Sequence, residues 1–358
     1  MHILYLIDSL GLGGAETIVV NTLNYIVNTQ KETEVSIITT VTANGYLKNK
    51  LSPSINYKYV DCRKNFLRGV LVIKKYSKEN NITHIHSHLF YSIMVGRFVK
   101  MRNIKLFETY HNLEYNKDAV YYSWWRVLVD RITYNKKNFS IYVSDEVRQS
   151  IQRMRKKNNQ FVLLNNFAGI DFINNYKYNN NNILKLIAVG NLKEDKNFKY
   201  ALETFTQLKS YAISLDIYGD GELRPELQNL INTNNIKVTL VGRQQMDVNI
   251  LSKYDAFLMT SLNEGMPISL LEAMNVGLPC ILPDHLIVMK EVAQKGAIYF
   301  NLKDKNSLSS ALKKIIKNKT ILYEMSQKVV VQSKLYSIQA HITELMRLYS
   351  LTHGNSVL

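Results

Sequence analysis

Short apolar runs rich in β-branched residues recur along this sequence, and stretches long enough to form helices separate them. Such runs are typical of strands that are buried on both faces of a parallel sheet, so their alternation with helices predicts an α/β fold. The pattern is interrupted once, by the polar and aperiodic stretch 173–183. Strands are predicted at Met1–Ile7, Val35–Thr40, Ile55–Val60, His84–His88, Lys105–His111, Phe139–Ser144 and Phe161–Asn166, and then at Leu184–Gly190, Leu215–Gly219, Lys237–Gly242, Ala256–Ser261, Pro279–Leu282 and Ala297–Phe300.

The two series of strands predict two Rossmann-like, doubly wound domains. A length of 358 residues also exceeds the usual size of a single core. We predict a first domain over residues 1–167, a linker over 168–183, a second domain over 184–335 and a separate helical segment over 336–358. In open α/β sheets, ligands bind beyond the carboxyl ends of the strands, and two such sheets that face each other would enclose a cleft.

The chain is strongly basic, and the charge is unevenly distributed. The net charge is +16, and residues 1–170 contain 24 Lys and Arg against 12 Asp and Glu. Such an asymmetry fits nucleic acid, an anionic membrane surface or simple solubility. No helix-turn-helix, RNA-binding or zinc signature is present, so we do not expect nucleic acid as a partner.

Other features of the sequence favour a cytoplasmic protein. The first strand begins at the first residues without a basic leader or a cleavage site, and no apolar run approaches the ~18 residues of a spanning helix. Cys62 and Cys280 are far apart in the sequence and have no metal-ligand spacing, which is typical of reduced thiols.

The segment from Glu264 to Glu272 contains the strongest functional signal. Pro267 suits a first helical turn, so a helix is predicted to start near it, and the free N–H groups of that turn would provide a seat for phosphate. Glu264 precedes this seat, and Glu272 lies about 7.5 Å along the helix axis beyond Pro267. The spacing suggests a nucleotide-sugar held at both ends. An ordinary capped helix with two solvated glutamates fits the spacing equally well.

Two further patterns are weaker evidence for a functional site. Gly13 and Gly14 open a helical stretch and would let backbone N–H groups approach an anion, but Glu16 stands where a dinucleotide motif requires Gly or Ala. A tight structural turn is the alternative. The alternating histidines of 84–88 have a spacing that suits a metal ion, yet no carboxylate or cysteine completes a site. We therefore expect them to line the end of the sheet, and no metal is predicted.

Basic and aromatic residues supply the remaining candidates. Lys196 follows a predicted strand, where its ammonium would neutralise a phosphate or simply be solvated. The stretch 121–126 contains two tyrosines and two tryptophans, and Arg131, Lys136 and Lys137 lie nearby. Such a surface fits a membrane interface. The alternative is that Trp124 and Trp125 fill the core of the first domain.

Taken in order, these motifs resemble those of the family 4 retaining glycosyltransferases. The resemblance extends over nearly the whole chain, and the paired glutamates carry most of it. It rests on Gly13-Gly14-Ala15-Glu16, His111, the stretch from Asn165 to Asp171, Gly190, Lys196-Asn197, Gly219 to Glu222, and Glu264 to Glu272. It implies the glycosyltransferase B fold, in which the second domain holds the donor, the first holds the acceptor, and the last helix crosses back to the first domain.

The resemblance also implies roles for individual residues. Glu264 would contact the hydroxyls of the donor sugar and Glu272 those of the ribose, while His111 would touch the donor sugar and Lys196 would support the diphosphate. This chain has Asn191 where the family usually has Arg, which removes one positive charge. The predicted catalytic residues are Glu264, His111 and Lys196, and the predicted donor-binding residues are Gly13, Gly14, Asn191, Gly242, Arg243, Met266, Pro267, Ile268, Ser269 and Glu272.

The predicted function is therefore that of a retaining, metal-independent glycosyltransferase. It would move a hexose-type sugar from a nucleotide-diphosphate sugar to a glycan or lipid-linked acceptor in the synthesis of a surface polysaccharide such as a capsule. The basic first domain would place it peripherally at the inner face of the membrane. Two alternatives remain open: a nucleotide-sugar epimerase with the same architecture, and a non-catalytic partner protein that is made credible by Asn191.

Overall fold

The computed structural model describes residues 1–113, 122–154, 160–170, 172–173, 176 and 182–351. The chain divides into two compact units. The first consists of Met1–Phe167 together with the C-terminal segment that begins at Ile338, and the second consists of Ala168–Ser337.

The first unit contains an all-parallel sheet, with seven strands among its described residues and the order β3-β2-β1-β4-β5-β6-β7. The order reverses direction beside β1, because the chain first adds strands on one side and then crosses to the other. This is the doubly wound arrangement that the alternating pattern predicts. The strands are β1 (His2–Ile7), β2 (Glu34–Thr39), β3 (Asn56–Tyr59), β4 (His84–His88), β5 (Lys105–Tyr110), β6 (Phe139–Tyr142) and β7 (Phe161–Leu163).

Helices cover both faces of this sheet and bury the apolar sides of its strands. One of them, α13, comes from the far end of the chain, and its buried residues Ile342, Leu345 and Tyr349 belong to the same core as β1 and α1. The helices are α1 (Gly14–Thr29), α2 (Phe66–Glu79), α3 (Phe90–Val99), α4 (Trp124–Thr133), α5 (Asp145–Met154) and α13 (Ile338–Ser350), with a 3-10 turn at Tyr46–Lys50.

The second unit repeats the design with a parallel sheet of order β10-β9-β8-β11-β12-β13. Its strands are β8 (Leu184–Val189), β9 (Ile213–Tyr218), β10 (Val238–Gly242), β11 (Ala256–Leu258), β12 (Cys280–Pro283) and β13 (Ala297–Phe300). Its helices are α6 (Phe198–Thr206), α7 (Arg224–Asn234), α8 (Val248–Leu251), α9 (Ile268–Asn275), α10 (Ile287–Ala293), α11 (Ser307–Lys317) and α12 (Thr320–Ser333), with 3-10 turns at Glu194–Lys196, Gln294–Gly296 and Lys334–Tyr336.

The structure differs from the sequence-based expectations mainly at the ends of elements. The strand expected at Ala256–Ser261 ends at Leu258, because Thr260 and Ser261 make other contacts. The Thr260 hydroxyl donates to the Lys196 carbonyl oxygen, and the Ser261 hydroxyl donates to the Glu264 carboxylate. The strand expected at Phe161–Asn166 ends at Leu163. The helical stretch after Gly13 begins at Gly14.

Two predicted features fall partly outside the described residues. These are Tyr121 of the aromatic stretch, and Asp171 together with most of the stretch 173–183. Within the described part of the chain, no helix is long and apolar enough to cross a membrane.

Candidate functional site

The predicted donor-binding residues of the second unit lie at the carboxyl ends of its strands. The chain turns sharply at Gly190 after β8 and at Gly219 after β9. The Gly219 backbone has φ of 149°, and a Cβ at this position would lie 1.8 Å from the carbonyl oxygen of Gly190. Only glycine therefore allows these two turns to pack against each other.

Lys196 and Glu264 form an ion pair at this edge of the sheet. The Lys196 Nζ donates to Oε1 of Glu264 over 2.5 Å, and the Ser261 hydroxyl donates to the same oxygen over 2.7 Å. The turn that carries Lys196 is fixed to the loop after β11, since the Thr260 hydroxyl donates to the Lys196 carbonyl oxygen over 2.9 Å. The structure thus brings together two residues that are 68 positions apart.

The electrostatic balance of this pair keeps the lysine charged. Burial alone would lower the pKa of Lys196, but Glu264 and then Asp195 outweigh it, and the pKa is raised above its ordinary value. Burial raises the pKa of Asp195, against the opposing influence of Lys196. A charged ammonium is therefore present at neutral pH at the edge of the sheet.

Helix α9 begins beside this pair with an uncapped N-terminus. Pro267 is the N-cap residue rather than part of the first turn, and no described side chain caps the helix. The amides at the start of a helix carry partial positive charge and favour an anionic ligand. Met266, Ile268 and Ser269 flank this junction as predicted by the sequence.

Glu272 lies one turn further along α9 and is half-buried. Burial raises the pKa of its carboxyl to about 8. Among the described residues it has no ion-pair or hydrogen-bond partner, so its carboxyl is available to accept hydrogen bonds from the hydroxyls of a ligand. Glu264 is therefore not a freely solvated side chain, because it is paired with Lys196, and Glu272 is half-buried.

The raised pKa of Glu272 predicts how stability depends on pH. The folded protein binds the proton of this carboxyl up to about pH 8, whereas an ordinary glutamate releases it near 4.5. The stability that this bound proton gives the folded protein is complete below pH 4.5 and is lost as the pH rises to 8. Calorimetry should therefore show that the free energy of unfolding of Glu272→Gln, relative to that of the wild type, rises by about 1–3 kcal/mol from pH 5 to pH 8. This range already includes a discount for solvent screening. Equal pH slopes for the two proteins would contradict this expectation.

The other predicted residues of the second unit are more exposed. Asn191 follows Gly190 and is half-buried, whereas Gly242 ends β10 and the next residue, Arg243, is exposed. A neighbouring arginine, Arg224, donates from Nη2 to the Leu240 carbonyl oxygen over 3.1 Å. Arg224 therefore lies against β10, and Arg243 directly follows the strand.

In the first unit, the Gly13-Gly14 turn is occupied by the protein's own carboxylate. Glu16 accepts from the Ser9 hydroxyl over 3.0 Å, and a Cβ on Gly13 would lie 2.1 Å from Glu16 Oε2. Burial raises the pKa of Glu16. A Cβ at Gly13 would therefore require the Glu16 carboxylate to move. Gly14 forms the first residue of α1.

The histidines of β4 form a buried cluster with residues of α13 and β5. His84 Nε2 lies 3.0 Å from the Tyr349 carbonyl oxygen, and His86 lies between the Tyr349 hydroxyl at 2.5 Å and the Thr109 hydroxyl at 2.6 Å. His88 contacts His111, the predicted sugar-binding residue, at 2.9 Å. No group of three or more His, Cys, Asp or Glu within the described ranges is arranged to hold a metal ion.

The tryptophans of α4 do not fill the core, so this alternative is wrong. Trp124 is 68% exposed, and it forms a stripe with Leu128 at 48% and Ile132 at 73%. These positions are four residues apart and therefore lie on one face of the helix. Trp125 packs edge-on against Phe90, with ring centroids 5.6 Å apart. The stripe is an unpartnered apolar face within the described part of the first unit.

Two known sequence families match consecutive parts of the chain. Residues 12–170 match the family described as Glycosyltransferase Family 4, and residues 169–334 match the family described as Glycosyl transferases group 1. The chain is 36% identical over 102 residues to an uncharacterized glycosyltransferase of Methanocaldococcus jannaschii. The aligned residues make up 27% of this chain and 25% of that protein.

A second relative has a named reaction. The chain is 33% identical over 144 residues to the UDP-Gal:alpha-D-GlcNAc-diphosphoundecaprenol alpha-1,3-galactosyltransferase of Escherichia coli, which is 37% of this chain and 36% of that enzyme. The aligned segments thus span only about a quarter to a third of these relatives.

A solved structure resembles the whole chain. Anabaena HepE in complex with UDP and glucose superposes with a TM-score of 0.82 at 15% identity, covering 98% of this chain and 99% of that one. At this level of identity the likeness concerns the fold, and the predicted glycosyltransferase B fold is confirmed.

Proposed function

Because the chain belongs to the group 1 and family 4 glycosyltransferases, we propose that it transfers a hexose-type sugar from a nucleotide-diphosphate sugar to a glycan or lipid-linked acceptor. The transfer would retain the anomeric configuration and serve the synthesis of a surface polysaccharide such as a capsule. The relative from Escherichia coli, whose name specifies a UDP-sugar donor and a diphosphoundecaprenol-linked acceptor, supports this class of substrates.

The observation that carries the proposal is the arrangement of charge around the start of α9. The charged ammonium of Lys196 is paired with Glu264, three residues before the uncapped helix start at Pro267. The unpartnered carboxyl of Glu272 lies about one turn into the same helix. Diphosphate would bind the ammonium and the helix start, and ribose hydroxyls would bind Glu272. Glu264 would accept from sugar hydroxyls while it remains close to Lys196.

The chemistry requires stabilisation of a departing diphosphate. The bond between the anomeric carbon and the phosphate oxygen breaks, and its electron pair remains on that oxygen. The acceptor oxygen bonds to the carbon on the same face, and the acceptor proton passes to the phosphate oxygen. Lys196 and the α9 amides would stabilise the charge that develops, so no metal ion is required.

The donor and the reaction can be tested together. Purified protein would be mixed with a panel of nucleotide-diphosphate sugars and lipid-linked acceptors, and release of the nucleoside diphosphate and formation of the glycosylated product would be followed. We expect one donor to give both products in equal amounts. Absence of binding and turnover with every donor would contradict the proposal.

The same assay distinguishes the two alternatives. An epimerase would interconvert the sugar without an acceptor product. A non-catalytic partner would bind a donor without turning it over, and Asn191→Arg would then restore turnover if the missing charge were the reason. Product formation by the wild type contradicts both alternatives.

We also propose that the protein works at the cytoplasmic face of an anionic membrane, which α4 would contact. The exposed stripe of Trp124, Leu128 and Ile132 would enter the interface, and the exposed cations Arg131, Lys136 and Lys137 would bind lipid headgroups. Apolar and basic residues are thus adjacent on one helix and the loop that follows it.

Vesicle sedimentation would test this contact. The triple variant Trp124→Ser, Leu128→Ser and Ile132→Ser should bind vesicles of phosphatidylcholine and phosphatidylglycerol at least about tenfold more weakly, since each buried side chain contributes on the order of 1 kcal/mol. Val331→Ser, which removes an exposed apolar side chain from the second unit, is the matched control. Equal binding by the triple variant and the control would refute the contact.

A further inference from the structure

His111 and His88 form a hydrogen-bonded pair at the carboxyl ends of two adjacent strands. His88 is the last residue of β4, and His111 directly follows β5. Nδ1 of His88 lies 2.9 Å from Nε2 of His111. The planes of the two rings are 27° apart, and their centroids are 5.2 Å apart. The pair leaves one further nitrogen on each ring.

Both of the remaining nitrogens are buried and unpartnered. His88 is 4% exposed and His111 is 9% exposed, and neither His88 Nε2 nor His111 Nδ1 has a hydrogen-bond partner among the described residues. A buried polar atom without a partner costs free energy that a ligand atom can recover. The His111 ring borders two small cavities of the first unit, of about 30 and 10 Å³, so space for a ligand group lies beside it.

The two rings are coupled through a single proton. Burial lowers the pKa of His88 well below its ordinary value and that of His111 to about 3, so both rings are neutral at pH 7. In a neutral pair, one ring donates and the other accepts across the bond. If His88 donates, His111 must carry its proton on Nδ1; if His111 donates, its Nδ1 is an acceptor. The tautomer of His88 therefore determines whether Nδ1 of His111 is a hydrogen-bond donor or an acceptor.

The orientation of His88 is itself fixed. Its ring stacks on Tyr5, with centroids 5.6 Å apart and planes 12° apart, and contacts His86 on strand β4 at 4.2 Å. His86 is in turn held at both nitrogens by Tyr349 and Thr109. A clamped ring of this kind is suited to orient its partner, as the second residue does in other histidine sites.

We propose that His88 is a positioning residue for His111: it binds Nε2 of His111 and fixes the tautomer and orientation of that ring, so that His111 addresses the donor sugar through Nδ1. The proposal rests on the proposed transferase function for the identity of the ligand. The bond between the two histidines and its effect on the tautomer stand independently of it.

Amide substitutions separate the two nitrogens of each ring. An asparagine amide reaches approximately the position of Nδ1, and a glutamine amide that of Nε2. His88→Asn should therefore preserve the bond to His111, whereas His88→Gln and His88→Leu should break it. We expect kcat of transfer to fall about tenfold to 100-fold in His88→Gln and His88→Leu, because a misplaced His111 ring near the reacting atoms would have an effect of this size. The KM for the donor should change less than about threefold.

The same substitutions at His111 separate its two nitrogens, of which Nε2 contacts His88 and Nδ1 would face the ligand. His111→Asn retains a polar group at the Nδ1 position, and His111→Gln retains only the link to His88. We expect His111→Asn to retain more kcat than His111→Gln. The opposite ranking would overturn the assignment of Nδ1 as the ligand-facing atom. Melting temperatures of all variants establish that they fold.

Nitrogen NMR of histidine-labelled protein gives a readout without activity. In the wild type, His111 should show one neutral tautomer, and in His88→Leu it should show a changed or mixed tautomer. An unchanged His111 spectrum together with unchanged kcat in His88→Leu would refute the proposal and leave the transferase function standing. Absence of any transfer by the wild type would refute the function, and the spectra would still decide whether His88 fixes His111.

Discussion

Glu264→Gln is expected to reduce the rate of sugar transfer at least about 100-fold in a protein that still folds, because it removes a charged acceptor of the kind that acts on the transition state. Glutamine has the same shape and keeps a carbonyl oxygen for the Ser261 hydroxyl and the Lys196 ammonium. The variant should therefore fold and bind the diphosphate. The measurement is kcat with the donor identified in the panel, together with the melting temperature.

The control for this variant is Glu203→Gln, which makes the same change at an exposed position of α6 in the same unit. It should turn over the donor at the wild-type rate. Turnover by Glu264→Gln at the same rate as this control would remove Glu264 from the mechanism.

A double-mutant cycle with Lys196→Met shows how Glu264 acts. If Glu264 served only to hold the Lys196 ammonium, the double variant would be as slow as Lys196→Met alone. A direct contact between Glu264 and the sugar predicts that the double variant is slower than either single variant. Because the two side chains form an ion pair over 2.5 Å, we expect an interaction energy of about 0.5–3 kcal/mol between the two substitutions.

The fold could be predicted from the sequence because strands of a parallel sheet are buried on both faces. Runs such as Ile3–Ile7 are therefore continuously apolar and easy to recognise. Their ends were harder to locate, since they depend on tertiary hydrogen bonds. The strand at Ala256 ends early because Thr260 bonds to Lys196 across the sheet edge, and spacing along the chain does not reveal this.

The candidate site was only partly accessible from the sequence. The positions of Glu264 and Lys196 were predicted, but their ion pair and the support from Ser261 depend on how two strands lie side by side. The raised pKa of Glu272 depends on burial, which has no signature in an eight-residue helix. The contact between His88 and His111 likewise follows from strand register, although both residues were recognised as polar groups at strand ends.

One further group was missed although the sequence contained a signal for it. Glu108 interrupts the apolar strand β5, and a buried acid requires a partner. The partner is Arg97 of α3, which donates from Nε and Nη2 to both carboxylate oxygens of Glu108, over 2.9 and 2.8 Å. Its Nη2 also donates to Asp130 of α4 over 2.8 Å. A single arginine thus connects β5, α3 and α4.

This connection predicts a large loss of stability in Arg97→Met. Burial opposes the charge of Arg97, but Glu108, Tyr110 and Asp130 raise its pKa well above the ordinary value, and its side chain is only 3% exposed. The substitution removes the guanidinium that bonds to both buried carboxylates, and breaking a buried ion pair typically costs about 3–5 kcal/mol. Both tryptophans of the chain lie in α4, so their fluorescence during urea denaturation reports on this region.

Neutralising the two acids provides the matched rescue. In the triple variant Arg97→Met, Glu108→Gln and Asp130→Asn no uncompensated charge remains, and replacement of a whole buried ionic group is often nearly neutral. We expect it to recover most of the lost unfolding free energy and, with α4 again held in place, to bind anionic vesicles as the wild type does. If Arg97→Met unfolded at the wild-type urea concentration, the cluster would contribute nothing to holding α4. If the triple variant were as unstable as the single one, lost packing of the long arginine side chain, rather than buried charge, would be the cause.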